Sequence, residues 1–368
     1  MFKKTSKFLA LSCVYVAMLS TYSPSSSATD NVVKKSKKKQ TATKNQQADV
    51  HFTQWKEVSV FITDMVAKHG FQADELNAMF EQTRYIETAR QLMRPAPPGK
   101  PKNWKAYRAR FVEPYRIDAG VAFWNKNADL LARTEQQYGI PAEIIVGLIG
   151  VETIYGKNTG SFRAMDVLTT LAFDYPETPT RETRMQFFRS ELENLLVLAK
   201  ESGADPFAFK GSYAGAIGLP QFMPGSIRQY AVDFDGDGKI NLNESAADAI
   251  GSVANYLSLH GWKRNLPTVF PATLSPSDEN QAQLKTAISK GLRATYTLND
   301  LKGFLTTPSS DAPDGILYGV IDLQNGEDAD EYWLGTDNFF AITQYNRSYF
   351  YAMSVIDLGR VISAARQN

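Results

Sequence analysis

Cysteine and histidine are scarce in this 368-residue chain, which has one cysteine and three histidines. The cysteine, Cys13, lies in an amino-terminal apolar stretch, so the rest of the chain can form neither a disulfide nor a thiol-based site. The three histidines are His51, His69 and His260, and the sequence has no GxSxG motif. Both facts argue against a serine hydrolase.

An excess of charge of one sign is also missing. The 40 basic and 39 acidic residues give a formal net charge of +1, which argues against a dedicated nucleic-acid-binding protein. The apolar run from Phe8 to Leu19 is too short to span a bilayer comfortably. With 43% hydrophobic and 12% aromatic residues, the chain can still bury a core, as one large domain or as two.

The amino-terminal region has the layout of an exported protein. Basic residues precede the apolar run, and small residues ending at Ala28 follow it, so residues 1–28 are predicted to be a signal peptide. Cys13 is poorly placed for lipid attachment, because more apolar residues follow it. Residues 29–50 are predicted to be a basic disordered linker, either attracted to an anionic surface or simply solvated, and we favour the second reading.

One stretch reads as a buried helix with a carboxylate on its apolar side. Pro141 suits the first helical position, and Gly156 suits the residue just past the end. Between them Ile144, Leu148 and Glu152 recur at intervals of four, so Glu152 is predicted to lie on the apolar stripe.

A carboxylate in that position is expected to have a raised pKa, because burial and the negative end of the helix both disfavour the charged form. A carboxylic acid that stays protonated near neutral pH can protonate a leaving oxygen, as glycosidase acids do. The alternative is that Glu152 reaches the surface or pairs with a buried arginine. Periodicity alone slightly favours that alternative.

Residues 211–224, the Gly-rich loop, carry one amide, Gln221. Glycines let the backbone approach a partner closely, so this loop could line a groove and present N–H groups and Gln221 to hydroxyls or acetamides. Tight helix packing would explain the glycines equally well. The loop lacks the GxxxxGK[ST] pattern, which argues against a phosphate cradle.

Residues 233–244, the metal loop, reproduce the EF-hand calcium pattern. The predicted ligands at positions 1, 3, 5, 7, 9 and 12 are Asp233, Asp235, Asp237, the Lys239 carbonyl, Asn241 and Glu244. Four carboxylates in so short a loop would repel each other without a cation, so Ca²⁺ is expected here, with Na⁺ as the alternative ion. A single loop suggests a structural clamp rather than a switch, and no organic cofactor is expected.

The pattern of apolar residues divides the rest of the chain into three parts. Residues 51–265 read as helical and include the metal loop, with helices expected over 187–200 and 246–259. Residues 266–335 read as a small β-containing insertion, with strands over 316–323 and 332–334. Residues 336–368 return to helix, over 338–348 and 349–365.

Several motifs, in this order, resemble the lytic murein transglycosylase B family of peptidoglycan-cleaving enzymes, which are related to goose-type lysozymes. The motifs are GVET at 150–153, KGSYAGAIG at 210–218 with QFMP at 221–224, the metal loop, and ITQYNRS at 342–348. The resemblance covers roughly residues 51–368. It implies a mainly α (α+β) fold, with a lysozyme-like helical catalytic domain and a small inserted β-containing subdomain.

The resemblance also implies a mechanism in which Glu152 is the single catalytic acid/base. Glu152 would protonate the oxygen between MurNAc and GlcNAc and then take a proton from the MurNAc 6-hydroxyl, giving a 1,6-anhydro product with help from the substrate's N-acetyl group. The implied glycan-groove residues are Tyr107, Ser212, Gln221, Tyr345 and Asn346. Around Arg181–Arg184 the family often has adjacent arginines that are thought to meet the peptide stem. Here Glu182 and Thr183 intervene, and only Arg184 aligns cleanly with them.

The residues alone leave two alternatives open. One is a calcium-stabilised peptidoglycan-binding or scaffold protein without catalysis, and the other is a plain muramidase, which needs the same acid. The expected partners are peptidoglycan glycan strands and other cell-wall enzymes, with no nucleic acid, and the protein is expected to be a monomer. Its expected location is the periplasm, without a convincing lipidation site.

Overall fold

The computed structural model describes residues 50–95, 101–275, 277–306 and 312–367. The predicted signal peptide and the linker up to residue 49 lie outside the described residues. Residues 50–85 form one compact unit, and the described residues from 86 onward form a second. Within the described residues, no helix is long and apolar enough to cross a membrane.

The first unit is a small helical pair. A short 3-10 turn, Phe52–Gln54, precedes α1 (Lys56–His69) and α2 (Ala73–Gln82). Apolar residues at helical spacing supply its core: Phe52, Val58, Phe61, Met65, Leu76 and Phe80 are all buried. α1 ends at Gly70, whose φ of 63° is left-handed.

The second unit is mainly helical. Its helices before the metal loop are α3 (Glu87–Leu92), α4 (Trp104–Arg108), α5 (Pro114–Lys126), α6 (Ala128–Tyr138), α7 (Ala142–Thr153), α8 (Ala164–Phe173), α9 (Arg181–Ser202) and α10 (Pro224–Tyr230). Those after it are α11 (Ala246–Leu259), α12 (Asp278–Ile288), α13 (Leu298–Leu301), α14 (Asp337–Tyr345) and α15 (Tyr349–Gln367).

Within the residues that the structure describes, two small antiparallel sheets complete this unit. The first pairs β1 (Phe162–Arg163) with β2 (Lys210–Gly211). The second has the order β4-β3-β6-β5, formed by β3 (Val269–Leu274), β4 (Leu305–Thr306), β5 (Gly319–Asn325) and β6 (Asp328–Gly335). The strands of the second sheet lie within 266–335, while the outer limits of the inserted subdomain stay a prediction.

The central helix α7 is buried on nearly every side and packs against α15 at two glycines. A Cβ on Gly147 would lie 2.2 Å from the carbonyl oxygen of Val355, and a Cβ on Gly359 would lie 2.2 Å from that of Glu143. Only glycine allows this approach, so the two backbones are in direct contact. The two helices run antiparallel, and the start of α15 faces the end of α7.

Several predicted boundaries need correction. Pro141 is the residue before α7 rather than its first residue, since its ψ of 139° is not helical. α9 begins six residues before the predicted position 187, and α14 ends at Tyr345 because Asn346 is extended. The insertion also contains two helices, α12 and α13, where the sequence predicted only strands. The boundaries predicted for α11 are confirmed.

Candidate active site

Glu152 occupies the last turn of α7 and is only 8% exposed. The prediction that it lies in an apolar environment is confirmed, and the idea that it reaches the surface is wrong. The carbonyl groups of the last helical turn point toward this end of α7, so the local backbone dipoles disfavour a negative charge. Burial acts in the same direction.

A tyrosine that the sequence analysis missed contacts this carboxyl group. The hydroxyl of Tyr351, a fully buried residue in the first turn of α15, donates to Oε1 of Glu152 at 2.5 Å. The contact follows from the packing of α7 on α15, since Tyr351, Val355 and Gly359 lie on one face at intervals of four. That periodicity was visible in the sequence, but it did not name Glu152 as the partner.

Tyr107, on α4, belongs to the same site. Burial, and to a smaller extent the charge of Glu152, raise the pKa of Tyr107 to about 12, against the lowering effect of Arg110. The two groups are therefore close enough to interact electrostatically. The phenol stays protonated at neutral pH and can donate a hydrogen bond, and its ring packs against Trp104 and Phe350.

The end of α7 is tied to the Gly-rich loop through the residue after the acid. The hydroxyl of Thr153 donates to the carbonyl of Leu219 at 2.9 Å and accepts the N–H of Gly156 at 3.0 Å. Ile154 and Tyr155 have positive φ angles of 52° and 56°, which turn the chain sharply after the helix. Strained backbone of this kind is common at functional sites.

Ser212 lies buried inside the Gly-rich loop. Its Oγ accepts the N–H of Ala216 at 3.1 Å and that of Ala214 at 3.4 Å, so the side chain holds a turn. Because both of these bonds use the oxygen as acceptor, the hydroxyl hydrogen can still be donated to a ligand. The side chain therefore braces the loop, and its contact with substrate stays a prediction.

Gln221 is held still more firmly. Its Nε2 donates to the carbonyls of Thr159 at 3.1 Å and Gly218 at 2.9 Å, and its φ of 52° is unusual for a residue other than glycine. Two carbonyl partners fix which end of the amide carries the hydrogens. The Oε1 atom is therefore left as an acceptor of fixed direction.

Tyr345 connects the carboxy-terminal segment to this loop. Its hydroxyl donates to the carbonyl of Pro220 at 2.5 Å, and its ring stacks on that of Tyr351 with centroids 6.5 Å apart. Asn346 follows it as a buried, extended residue at the end of α14. The motif at 342–348 thus reaches both the Gly-rich loop and the tyrosine that contacts Glu152.

Arg184 lies in the first turn of α9, near Tyr175. Its charge lowers the pKa of Tyr175, against the larger raising effect of burial. Burial and the neighbouring Tyr175 both raise the pKa of Tyr213, the residue after Ser212. A peptide-binding role for Arg184 stays a prediction.

The metal loop surrounds its first aspartate with backbone N–H groups. Gly236, Gly238 and Asp237 donate to Asp233 at 2.7, 2.8 and 3.2 Å, and these bonds, that from Gly238 above all, lower the pKa of Asp233. Oxygens of Asp233, Asp235 and Asp248 lie within 4.8 Å of one another. This oxygen-rich set suits a hard cation such as Ca²⁺.

Asp248, outside the twelve-residue pattern, was missed. It is 1% exposed, and its two oxygens accept the N–H groups of Phe234 at 2.9 Å and Asn241 at 2.8 Å. A single carboxylate in α11 therefore clamps the loop near both ends. Its spacing after Glu244 gave no signal in the sequence.

The remaining predicted ligands lie along the loop. The N–H of Lys239 donates to Asp237 at 2.8 Å, and the amide of Asn241 donates to Glu244 at 3.3 Å. These bonds keep the side-chain oxygens on the loop itself. Whether these residues ligate a metal stays a prediction.

Comparisons with known proteins agree with this geometry. Residues 51–360 match the family model described as a transglycosylase SLT domain. The chain is 40% identical over 314 residues to membrane-bound lytic murein transglycosylase B of Escherichia coli strain K12, covering 83% of this chain and 82% of that protein.

Solved structures give the same picture. Soluble lytic transglycosylase SltB1 of Pseudomonas aeruginosa is 44% identical, with a TM-score of 0.75 and coverage of 85% of this chain and 100% of that one. Escherichia coli lytic transglycosylase Slt35 in complex with calcium is 38% identical, with a TM-score of 0.74 and coverage of 86% and 96%.

These matches confirm the family and the lysozyme-like helical fold that the motifs implied. They also decide against the non-catalytic scaffold reading. The chain therefore belongs to the transglycosylase SLT domain family and is a lytic murein transglycosylase, an enzyme that cleaves glycosidic bonds.

Proposed function

We propose that the enzyme cleaves the β-1,4 bond between MurNAc and GlcNAc and leaves a 1,6-anhydroMurNAc end, with Glu152 as the only acid/base. The observation that carries this proposal is the buried carboxyl of Glu152, held by the Tyr351 hydroxyl at 2.5 Å and adjoined by Tyr107. One carboxyl group can serve both steps in turn. The substrate supplies the second functional group itself.

In the first step the protonated Glu152 donates its proton to the glycosidic oxygen, and the bond from that oxygen to the anomeric carbon breaks. Burial and the carbonyl end of α7 favour the protonated form before the reaction. The N-acetyl oxygen of MurNAc stabilises the anomeric carbon, which replaces the second carboxylate of most glycosidases.

In the second step the Glu152 carboxylate takes the proton of the MurNAc 6-hydroxyl as that oxygen bonds to the anomeric carbon. The acid is restored and no water is consumed. The Tyr351 hydroxyl donates to Oε1 and so stabilises the carboxylate between the two steps.

Ser212 and Gln221 are suited to orient the acetamido group. The Ser212 hydroxyl can donate to the acetamide oxygen, while Oε1 of Gln221 can accept the acetamide N–H. Both side chains are already fixed by bonds to the backbone, so little conformational freedom is lost on binding. Tyr345 and Asn346 complete the groove in this proposal, with Tyr345 holding the loop through Pro220.

Mass spectrometry of soluble products from purified murein sacculi tests the proposal. Anhydro ends are expected with the wild-type enzyme. Products heavier by one water would identify a plain muramidase, which uses the same acid to activate water. The Glu152→Gln variant, with unchanged melting behaviour, should release neither product.

We further propose that the metal loop binds Ca²⁺, with Na⁺ as the alternative ion, through the ligands predicted from the EF-hand pattern. The clustered oxygens of Asp233, Asp235 and Asp248 support this, as does the calcium complex of the relative Slt35. The ion would neutralise the loop and fix it to α11, a structural role. A calcium titration followed by melting temperature tests it.

Location and partners follow from the same substrate. We propose a periplasmic enzyme, exported by its amino-terminal segment, that acts on glycan strands as a monomer and meets other cell-wall enzymes there. The related Escherichia coli protein is described as membrane-bound, whereas the only cysteine here is poorly placed for a lipid. Fractionation of cells that express the full chain would test the location.

A further inference from the structure

Two exposed cations are each seated over a tyrosine ring. The Lys157 ammonium lies 4.4 Å from the ring centroid of Tyr115, and the Arg110 guanidinium lies 6.0 Å from that of Tyr107. Within the described residues, neither cation has a carboxylate within 4.0 Å. Both charges are therefore positioned by the protein but not neutralised by it.

Lys157 stands close to the acid along the chain. It follows Glu152 by five residues and is the exposed residue in a turn that is otherwise buried or half-buried. The carbonyl of Thr159 in the same turn accepts the amide of Gln221 at 3.1 Å. The turn therefore lies between the acid and the Gly-rich loop.

Tyr115 is attached to the same region from the other side. Its neighbour Arg116 is buried and donates to the carbonyl of Gly150 at 3.0 Å and to that of Arg110 at 2.5 Å. One guanidinium thus joins the catalytic helix to the segment that carries Tyr107. The two ring and cation pairs share this framework.

The ring of Tyr115 faces solvent. It is 57% exposed and is the one aromatic among the large exposed apolar residues in the described part of the chain. Its N–H donates to Glu113 at 2.8 Å, which fixes the backbone. A ring that holds a cation in place reduces the conformational freedom that the cation would lose on binding an anion.

We propose that Arg110 and Lys157 bind carboxylates of the murein peptide stem, with Tyr107 and Tyr115 as the platforms that hold them beside the acid. This rests on the proposed function, since it takes murein as the substrate. Peptide stems carry carboxylates close to the cleaved sugar bond. Arginine can hold such a group by two parallel bonds, and lysine can meet it as a point charge.

The experiment compares two soluble substrates, murein glycan fragments with their stems and the same fragments after an amidase has removed them. The variants are Arg110→Gln, Lys157→Gln and the double variant, with Arg110→Lys and Lys157→Arg as conservative replacements. Arg366→Gln is the matched control, because Arg366 is also a cation over an aromatic ring, 5.1 Å from the centroid of Trp124.

The expected result is a selective rise in KM. Each glutamine variant should raise KM for the stem-bearing substrate roughly two- to fivefold, the range of exposed ion pairs, and the double variant about tenfold. The difference should shrink at high salt. Lys157→Arg and Arg366→Gln should behave like wild type on both substrates, and Arg110→Lys should fall between wild type and Arg110→Gln. Melting curves identify any variant that fails to fold.

Two outcomes would overturn the assignment. The amidase frees the lactyl carboxylate of MurNAc, so an equal rise in KM on both substrates would mean that the cations bind the sugar backbone instead. No change relative to Arg366→Gln would mean that they bind nothing. Failure of the proposed function is recognised separately, by hydrated products or by lysis above roughly a hundredth of wild type in Glu152→Gln.

Discussion

Helix α7 and the metal loop place carboxylates in opposite surroundings. Glu152 is buried at the carbonyl end of α7, where its bond to the Tyr351 hydroxyl is 2.5 Å long. Asp233 is accessible in a loop whose backbone N–H groups surround it and lower its pKa. Burial beside backbone carbonyls favours the protonated carboxyl group, which can give up a proton. Exposure beside backbone N–H groups favours the carboxylate, which can bind a cation.

The largest effect is expected from removing the proton that Glu152 is proposed to carry. Glu152→Gln keeps the volume and the burial but cannot give up a proton, so lysis of murein sacculi should fall by about 10²–10⁴-fold. The melting temperature should stay near that of wild type. Activity above roughly a hundredth of wild type would contradict the role of Glu152.

Glu191 combines the burial of Glu152 with a backbone N–H donor like those around Asp233. Glu191 lies on α9 and is buried, as Glu152 is on α7. It also accepts a backbone N–H, that of Gly225 at 2.7 Å, as Asp233 accepts backbone N–H groups in the metal loop. Burial raises its pKa from 4.5 to about 7, and the Gly225 bond opposes this. The folded protein therefore holds more protons than the unfolded chain between these two pH values.

Stability should accordingly fall as the pH rises from about 4.5 and level off above about 7, by up to about 3 kcal/mol. Glu191→Gln should remove this slope and raise the melting temperature at pH 8. Glu193→Gln, on the same helix, is the control. An unchanged slope in Glu191→Gln would show that burial of this carboxyl is not costly.

For the metal loop, the test is to remove two of its carboxylates. Asp233→Ala with Asp237→Ala should lower the melting temperature in calcium and abolish its dependence on calcium. At 100 times the dissociation constant, calcium should contribute about 2.7 kcal/mol to wild-type stability. A calcium-dependent shift that survives in the double variant would place the ion elsewhere.

The next test concerns the Gly-rich loop, whose side chains are proposed to bind the acetamido group of the substrate. In the proposed mechanism Ser212→Ala and Gln221→Ala each remove one hydrogen bond to the acetamide, so kcat should fall about ten- to hundredfold, the effect of roughly 1–3 kcal/mol. KM should change less, because the bond acts mainly in the transition state. If activity and melting temperature fall together, the side chains only brace the loop.

The smallest expected effect concerns Tyr351. Replacing it with Phe removes one hydrogen bond to Glu152, worth about 1 kcal/mol, so kcat should fall roughly fivefold. Because that bond favours the carboxylate, its loss should move the pH profile of kcat toward higher pH. A profile that stays in place would mean that the hydroxyl only packs against the site.

Local patterns were sufficient for much of this molecule. Apolar spacing placed Glu152 in a buried helix, because a carboxylate at intervals of four from Ile144 and Leu148 shares their face. The acidic spacing of the metal loop and the limits of α11 were equally local. In each case the residues that form the pattern lie close together in the sequence, so the pattern can be recognised without knowledge of the tertiary structure.

Tertiary structure decided which distant groups meet. Tyr351 reaches Glu152 across 199 residues, and Tyr345 reaches Pro220 across 125. Periodicity gives the face of a helix but not its partner, which here depends on the close approach of α7 and α15 at Gly147 and Gly359. Local spacing in the chain was thus enough to predict the helical face of Glu152 and the acidic pattern of residues 233–244, whereas the groups that surround them depend on contacts between segments far apart in the chain.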